Sequence, residues 1–184
     1  GKDDDFVLGG IGEDTVLGGK GDDMLDGGKD DDFVLGGIGE DTVLGDKGDD
    51  MLHGGKDDDL VLGGIGKDTV LGEVGNDLLE GNEDDDLLYG GQGDDTLRGG
   101  EGSDRFVLAP GNGSDIIQDF EDGIDLLQLD GGLAFENLTL TEESGSTVIT
   151  FGNQRLALVS GVASSLLTPE DFLIAESESQ TLFG

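Results

Sequence analysis

Apolar residues recur every nine positions through the first part of the chain. The segment at residues 9–17, Gly-Gly-Ile-Gly-Glu-Asp-Thr-Val-Leu, returns at 18–26 and 27–35, and the pattern continues without insertion to Val107. Because successive side chains of a strand point to opposite faces, we expect position eight of this unit to face a core and positions seven and nine to face outward. Position eight is apolar in all twelve units, at Val7, Val16, Leu25, Val34, Val43, Leu52, Val61, Val70, Leu79, Leu88, Leu97 and Phe106.

The other half of the unit is rich in glycine. Position one is Gly in every complete unit, and Gly accepts positive φ without steric cost, so we expect the glycine-rich half to turn the chain. The three residues centred on position eight favour a short strand. A single strand buries nothing alone, so the units must stack and share one continuous core. The sequence therefore predicts an all-β solenoid.

Position six is Asp in every unit. Because these aspartates keep one register with the glycine turns, they indicate a repeated cation site rather than an acidic surface that only contacts solvent. The twelve loops that hold these residues are numbered here in chain order, from loop 1 with Asp5 to loop 12 with Asp104. A longer period of three units overlies the shorter one, because residues 2–8, 29–35 and 56–62 are nearly identical. The position-six residues are Asp5, Asp14, Asp23, Asp32, Asp41, Asp50, Asp59, Asp68, Asp77, Asp86, Asp95 and Asp104.

Charge narrows the choice of partner. Asp and Glu number 44 against 9 Lys and Arg, which gives a formal net charge of −35 and strong self-repulsion in any compact state. Nucleic acids and anionic membranes need Lys/Arg patches, so neither is expected as a partner. Acidic oxygens suit hard cations such as Ca²⁺. The chain has no Cys, which excludes disulfides and thiolate metal sites.

No targeting or membrane segment is apparent. No apolar run approaches the roughly 20 residues of a membrane span, and no signal peptide is visible. Since the chain begins at Gly1 in mid-pattern, we expect it to be a fragment of a longer protein.

The repeats resemble the repeats-in-toxin (RTX, haemolysin-type calcium-binding) family, whose nonapeptide is Gly-Gly-x-Gly-x-Asp-x-U-x with a large apolar residue at U. The resemblance covers residues 1–107. It implies a right-handed parallel β-roll (β-solenoid) with calcium-binding turns, in which two units make one coil and the loops on one edge belong to every second unit. The chain is similar to the C-terminal modules of serralysin-type proteases and alginate epimerases.

The same resemblance implies one Ca²⁺ between two loops stacked on one edge. The earlier loop supplies the carbonyls of positions two and four, the later loop those of positions one and three, and each loop supplies its position-six carboxylate. Six oxygens suit this hard cation. Twelve loops on two edges give ten complete sites, and an eleventh joins loop 11 to Asp115.

The implied ligands follow from these positions. Position-one carbonyls belong to Gly18, Gly27, Gly36, Gly45, Gly54, Gly63, Gly72, Gly81, Gly90 and Gly99. Position-two carbonyls belong to Gly1, Gly10, Gly19, Gly28, Gly37, Asp46, Gly55, Gly64, Glu73, Asn82 and Gly91. Position-three carbonyls belong to Lys20, Lys29, Ile38, Lys47, Lys56, Ile65, Val74, Glu83, Gln92 and Glu101. Position-four carbonyls belong to Asp3, Gly12, Gly21, Asp30, Gly39, Gly48, Asp57, Gly66, Gly75, Asp84 and Gly93.

Departures from the pattern fall mostly at positions two and four, where Asp, Glu or Asn replaces Gly. A carbonyl ligand survives any side chain, and Asp and Asn tolerate left-handed backbone better than most residues, so we expect these sites to remain. The lysines at position three are expected to direct their ammonium groups to solvent.

The periodicity weakens after Ala109. Residues 110–118 resemble a degenerate thirteenth repeat, and Asp119-Phe-Glu-Asp-Gly-Ile-Asp125 resembles the segment that closes the β-roll in serralysin-type proteases and alginate epimerase modules. Residues 147–151 and 156–159 are predicted strands joined by a turn, and 168–171 a helix start. We therefore expect residues 1–107 to form the roll.

Residues 108–184 are expected to form a β-rich cap that covers the last coil. RTX proteins typically leave the cell through an ABC-type exporter that reads an uncleaved C-terminal signal, and the tail from Leu166 to Gly184 resembles such a signal. The resemblance thus implies a protein that is secreted or at the cell surface, folding on Ca²⁺ outside the cell.

The sequence offers no catalytic motif. It lacks His-Glu-x-x-His, Gly-x-Ser-x-Gly, a phosphate loop and the EF-hand loop, its single His53 is expected at the surface, and its carboxylate pairs belong to the repeat. We expect a non-enzymatic module. It would be either the non-catalytic tail of a secreted enzyme or a structural, adhesive segment of an adhesin or surface-layer protein. Ice binding is disfavoured, because outward Thr recurs only in every third unit.

Outward apolar rows suggest a further partner. Position nine is Leu in six units, and alternate units belong to opposite sheets. Leu8, Leu44 and Leu62 are therefore expected on one face and Leu17, Leu35 and Leu71 on the other. Apolar groups so aligned predict self-association or docking of a neighbouring catalytic or adhesive domain.

Overall fold

The computed structural model describes residues 1–174 as β-strands joined by tight turns. The repeat region contains β1 (Phe6–Ile11), β2 (Thr15–Lys20), β3 (Met24–Lys29), β4 (Phe33–Ile38), β5 (Thr42–Lys47), β6 (Met51–Lys56), β7 (Leu60–Ile65), β8 (Thr69–Val74), β9 (Leu78–Glu83), β10 (Leu87–Gln92), β11 (Thr96–Glu101) and β12 (Arg105–Leu108). The C-terminal region contains β13 (Asp115–Ile117), β14 (Leu126–Leu129), β15 (Leu138–Glu143), β16 (Ser146–Phe151), β17 (Gln154–Val159) and β18 (Phe172–Ile174). Single-turn 3₁₀ helices span Phe135–Asn137 and Pro169–Asp171.

Alternate strands enter opposite sheets. Odd-numbered strands β1 to β13 form one sheet, which β17, β16 and β15 extend to ten strands, while even-numbered strands β2 to β14 and β18 form an eight-stranded sheet. Each repeat strand pairs in parallel with the strand two units later, as in Val16 with Val34 and Leu25 with Val43. Two units therefore make one coil, and the predicted all-β parallel solenoid is confirmed.

The core is a single column of position-eight side chains between the two sheets. All of them from Leu25 to Phe106 are fully buried, and Val16 is 3% exposed. Val7, in the first coil, is only half-buried, because no earlier coil of this chain covers it. Phe120, Leu127 and Leu133 continue the column into the C-terminal region. The predicted inward direction of position eight is thus confirmed.

The strands are longer than the three residues predicted. Each strand from β1 to β11 runs from position seven through position three of the next unit, so the turn is confined to positions four to six. Position one is part of the strand, and its Gly is required by space. A methyl group on Gly36 would lie 2.5 Å from Gly54 O and 2.6 Å from Asp41 Oδ2, closer than real Cβ contacts allow.

Non-glycine residues at positions two and four keep the left-handed backbone. At position two, φ is 77° for Asp46, 78° for Glu73 and 83° for Asn82. At position four, φ is 75° for Asp30, 76° for Asp57 and 78° for Asp84. The expectation that Asp and Asn would preserve these turns is confirmed for this set, and Glu73 shows that a longer side chain is accepted too.

The C-terminal region closes the solenoid by adding strands to both sheets. Strand β17 pairs in parallel with β13 and begins an antiparallel meander with β16 and β15. The predicted strands at 147–151 and 156–159 are confirmed as β16 and β17. The predicted helix at 168–171 is a single 3₁₀ turn capped by Thr168, whose hydroxyl accepts a hydrogen bond from Glu170 N. It stops there because Phe172–Ile174 pairs with β14. Within residues 1–174, no helix is long and apolar enough to cross a membrane.

Candidate metal centre

Position-six carboxylates form a ladder along each edge of the solenoid. The backbone N–H of each one donates to Oδ1 of the position-six Asp two units later, at 2.7 Å from Asp14 to Asp32 and 2.8 Å from Asp41 to Asp59. The ladder begins at Asp5 and extends past loop 12. Each gap between stacked loops is thus bordered by one position-six carboxylate from each loop.

From Asp14 to Asp104, the second oxygen of these carboxylates has no hydrogen-bond partner. Position six is buried from Asp23 onward, and Asp41 is 1% exposed. Position-one glycines leave room for these oxygens, as Gly36 does beside Asp41. Buried Oδ2 atoms without a partner occur in Asp14, Asp23, Asp32, Asp41, Asp50, Asp59, Asp68, Asp77, Asp86, Asp95 and Asp104. A buried charged group without a partner costs at least about 1–3 kcal/mol, so a cation or a proton must compensate each one.

Backbone carbonyls converge on the same gaps. The position-three carbonyl of the later loop accepts from the position-four N–H of the earlier loop, as Lys29 O does from Gly12 N at 3.1 Å and Ile38 O from Gly21 N at 3.0 Å. The position-two carbonyl of the earlier loop faces the later loop. Gly19 O lies 2.5 Å from the place that a Cβ atom on Gly37 would occupy. The structure therefore places position-two and position-three carbonyls between the same stacked loops whose position-six carboxylates form the ladder.

The donor set fits a hard cation. Within residues 1–174, no three His, Cys, Asp or Glu side chains are arranged to hold a metal by themselves, so carbonyls must complete any coordination shell. Two carboxylates with several carbonyl oxygens match the preference of Ca²⁺ for six to eight oxygen ligands. The lysines at position three, such as Lys29 and Lys56, are exposed and leave this shell free of ammonium groups.

Burial raises the pKa of the position-six carboxyls from Asp32 to Asp104 in the metal-free fold. Desolvation is the largest cause, the neighbouring carboxylates add to it, and the hydrogen bond from the preceding backbone N–H opposes it. The pKa rises to about 6 for Asp50, Asp77 and Asp104, to about 7 for Asp68, and to about 8 for Asp59 and Asp86. Ionisation of these buried carboxyls in the metal-free solenoid is therefore unfavourable in free energy.

The expected eleventh gap retains the geometry despite the shifted register. Asp95 N donates to Asp115 Oδ1 at 3.3 Å, and Gly93 N donates to Asn112 O at 2.6 Å. Asn112 therefore occupies position three of a thirteenth loop, although the sequence analysis did not single it out. The pKa of Asp115 is raised by burial and by the adjacent Asp95 carboxylate.

Two further aspartates end the ladder, and the sequence analysis assigned them no role. Asp125 Oδ1 accepts from Asp104 N at 3.0 Å, and its Oδ2 accepts from Glu121 N at 2.8 Å, so both oxygens are satisfied by backbone. Asp119 accepts from Gly99 N and Gly100 N at 3.1 and 3.2 Å and covers the edge of β11. The Asp-Phe-x-x-Gly-x-Asp motif was the available signal for both.

The raised pKa values predict that acid favours the metal-free fold. A carboxyl whose pKa is higher in the folded than in the unfolded chain stabilises the fold fully below its unfolded pKa of about 4. That stability is lost as pH rises through the folded pKa values of about 6 to 8 for Asp50, Asp68 and Asp86. Metal-free protein should therefore show more β-structure by circular dichroism at pH 4 than at pH 8. A signal that is constant or grows with pH would contradict this.

Comparison with known proteins places the repeats in a family. The family model for the RTX calcium-binding nonapeptide repeat (4 copies) matches residues 1–34, 35–70 and 71–106. No curated protein matches the chain.

Two solved structures are similar to it. The extracellular lipase LipA from Serratia marcescens is 16% identical with a TM-score of 0.40, over 85% of this chain and 40% of the lipase. The AlgE6R3 subunit of the Azotobacter vinelandii mannuronan C5-epimerase is 27% identical with a TM-score of 0.34, over 76% of this chain and 83% of that subunit. This chain thus spans less than half the length of the lipase. The repeat match covers more than half of the chain, which therefore belongs to the RTX calcium-binding nonapeptide repeat family.

Proposed function

We propose that this chain is a non-catalytic module that folds when Ca²⁺ fills the gaps between its stacked loops. The observation that carries the proposal is the row of buried Oδ2 atoms without partners, from Asp14 to Asp104. Each gap would hold one ion between two of these carboxylates. The ion neutralises two charges that otherwise repel, and this binding energy becomes folding energy.

The ligand set of each gap is proposed as the repeat pattern implies it. The earlier loop would supply its position-two and position-four carbonyls, and the later loop those of positions one and three. For the gap between loops 2 and 4, these are Gly10 and Gly12 with Gly27 and Lys29, alongside the two carboxylates. Ten gaps of this kind, with an eleventh at Asp115, bind about ten ions. Ten divalent ions would reduce the formal charge from −35 to −15, which relieves much of the self-repulsion of the compact state.

Folding outside the cell follows from the calcium affinity expected of such sites. Extracellular modules bind Ca²⁺ with dissociation constants of about 10⁻⁴–10⁻³ M, well above cytosolic calcium, so the chain would stay unfolded until export. We propose that an ABC-type exporter reads the tail from Leu166 to Gly184, of which residues 175–184 lie outside the described structure. Residues 1–107 would be the calcium-binding roll and 108–184 the cap. A catalytic or adhesive domain elsewhere in the full-length protein would supply any further activity.

Calcium removal should unfold the module. In chelator at pH 8 the paired carboxylates repel and the glycine-rich backbone gains entropy, so circular dichroism should show a disordered chain. Calcium near 10⁻³ M should restore β-structure, whereas the same concentration of Mg²⁺ should not, because Mg²⁺ demands a smaller octahedral shell. An unchanged β signal in chelator would exclude the proposal.

The cap should be required for folding. The last coil pairs with β13 and β14, and its Phe106 packs on Phe120, so deletion of residues 108–184 exposes core and strand edges. A 1–107 variant should therefore fail to gain β-structure at calcium concentrations that fold the full chain. Because each coil packs mainly on its neighbours, binding to the full chain should be cooperative. A 1–107 variant that folds at the same calcium concentration would refute the role of the cap.

An adhesive or structural role is the second candidate, and one outer face favours it. Both predicted leucine rows lie where expected, Leu8, Leu44 and Leu62 on the ten-stranded sheet and Leu17, Leu35 and Leu71 on the eight-stranded sheet. On the ten-stranded sheet, Asp26 interrupts the row between Leu8 and Leu44.

The eight-stranded sheet carries the more continuous apolar row. In register, Leu17 and Leu35 are followed by His53, Leu71 and Tyr89. His53 Nδ1 hydrogen-bonds Glu73 Oε1 at 2.7 Å and its ring centroid lies 5.3 Å from that of Phe33, so an aromatic ring packed on its neighbour continues this row where Asp26 interrupts the other. We propose that two copies associate through it, because the rest of the acidic surface repels a second copy.

Substituting each leucine row separately should show which of the two rows mediates association. L17T/L35T/L71T should reduce the associated mass seen by light scattering in calcium, and L8T/L44T/L62T, with the same change in composition, should reduce it much less. Both variants should keep calcium-induced β-structure, since position nine lies outside the core. A native module that stays monomeric over a wide concentration range would exclude the association.

A further inference from the structure

The eleventh gap lacks the strand pairing that supports the gaps of the repeat. From the gap between loops 2 and 4 to the gap between loops 10 and 12, parallel strands pair positions two and three of both loops in register, as Gly10 with Gly28. Between β10 and β12 the paired residues end at Leu88 and Phe106, both at position eight. Residues 110–115, called loop 13 here, must therefore be held against loop 11 by other contacts.

A side-chain contact takes the place of this pairing. Asn112, at position three of loop 13, donates from Nδ2 to the hydroxyl of Tyr89 at 2.6 Å, and both side chains are partly buried. Tyr89 is the only tyrosine of the chain and lies at position nine, immediately before loop 11. The backbone carbonyl of Asn112 accepts from Gly93 N of loop 11 at 2.6 Å. One residue of loop 13 is thus tied to the preceding coil through both its side chain and its backbone.

The backbone beside Asn112 does not fix the direction of its carbonyl. The residue lies between Gly111 and Gly113, whose φ angles are 90° and 131°, and glycine gives the adjoining peptide groups wide conformational freedom. A rotation of these peptide groups would turn Asn112 O away from loop 11. The hydrogen bond between the Asn112 side chain and Tyr89 restricts that rotation.

Two further hydrogen bonds keep loop 13 attached without orienting this carbonyl. Gly111 N donates to Gln154 Oε1 of β17 at 3.1 Å, and Ser114 N donates to Asp94 Oδ1 of loop 11 at 2.9 Å. Both contacts involve residues other than the one at position three. Removal of the tyrosine hydroxyl would therefore leave the loop in place and release only its position-three residue.

We propose that Tyr89 is a positioning residue of the eleventh calcium site. Its hydroxyl holds the Asn112 side chain and so keeps Asn112 O between loops 11 and 13, in the gap where Asp95 N donates to Asp115 Oδ1. The inference rests on the proposed calcium sites and adds to them a position-three ligand and the residue that orients it. Tyr89 acts only through Asn112 and is not itself a ligand.

A second position-nine ring makes an analogous contact where strand pairing is intact. His53, immediately before loop 7, hydrogen-bonds through Nδ1 to Glu73 Oε1 of loop 9 at 2.7 Å. Strands β6 and β8 remain paired there through positions two and three, as Gly55 with Glu73 and Lys56 with Val74. Since the strands already fix the carbonyls of loop 9, its calcium site should not depend on the ring. His53 therefore provides a matched control for Tyr89.

The experiment follows backbone amide signals of the calcium-loaded full chain in proton–nitrogen NMR spectra while buffered calcium is lowered, within the range where circular dichroism shows full β-structure. Asp95 N–H, which donates to Asp115 Oδ1, reports on the eleventh gap. Asp59 N–H, which donates to Asp77 Oδ1 at 2.8 Å, reports on the gap between loops 7 and 9. Each signal gives the calcium concentration at which its gap is half loaded.

The Y89F variant removes the hydroxyl and keeps the ring. The calcium concentration that half loads the eleventh gap should rise about fivefold, which corresponds to the loss of one net hydrogen bond, while the gap between loops 7 and 9 keeps its midpoint. In the control H53F, the gap between loops 7 and 9 should also keep its native midpoint. The N112A variant should match Y89F, and Y89F/N112A should add nothing further, because both changes remove the same contact.

Four results would overturn the inference while calcium binding stands. They are an unchanged eleventh gap in Y89F, an equal rise at every gap in Y89F, an equal rise in H53F at its own gap, and additive effects in Y89F/N112A. An equal rise at every gap would mean that the hydroxyl supports the fold as a whole, and additivity would mean that Tyr89 and Asn112 act separately. A chain in which no amide signal responds to calcium would overturn the proposed function as well.

Discussion

The structure depends on one electrostatic constraint, the burial of a row of carboxylates of like charge. From Asp23 to Asp104, each position-six Asp uses Oδ1 to accept the backbone N–H of the loop stacked before it and leaves Oδ2 in the gap without a partner. The Oδ1 contact fixes the stacking register, and the Oδ2 atom without a partner leaves uncompensated charge in the gap. The same residues therefore specify the solenoid and make its fully ionised form costly unless a cation compensates the charge.

The rest of the repeat accommodates this ladder. Position-one glycines leave the space that Oδ2 occupies, as Gly36 does for Asp41, and left-handed residues at positions two and four carry the carbonyls of the turn toward the stacked loop. Each unit from Val16 to Phe106 contributes one apolar side chain to the core column. This core is small for a chain with so many acidic residues. Hydrophobic burial alone is a weak stabiliser here, so cation binding is the dominant contribution to folding in this account.

The repeat pattern predicted the features that recur in every unit and missed those that depend on contacts between distant segments. The inward direction of position eight followed from periodicity, and the assignment of alternate units to opposite sheets followed from the family resemblance. Strand length did not, because position one looks like a turn glycine until the neighbouring coil shows that no Cβ fits there. The ligand assignments remain proposals, although the geometry brings the expected groups together.

In the C-terminal region, the expected helix after Thr168 is a single turn because Phe172 pairs with Leu127, far earlier in the chain. Asp125 likewise revealed its place in the ladder only through its contact with Asp104. Neither pairing has a periodic signature, since each occurs once, and a single sequence gives no indication of which distant segment a terminal strand will join.

The most direct test of the central claim is a crystal structure of the full chain grown in calcium, with anomalous scattering used to locate the ions. A calcium peak is expected between each pair of stacked loops from loop 1 to loop 12, about 2.3–2.6 Å from the Oδ2 atoms that otherwise have no partner. Loops stacked in the same register with only water in the gaps, or calcium bound solely at the exposed position-five carboxylates, would contradict it.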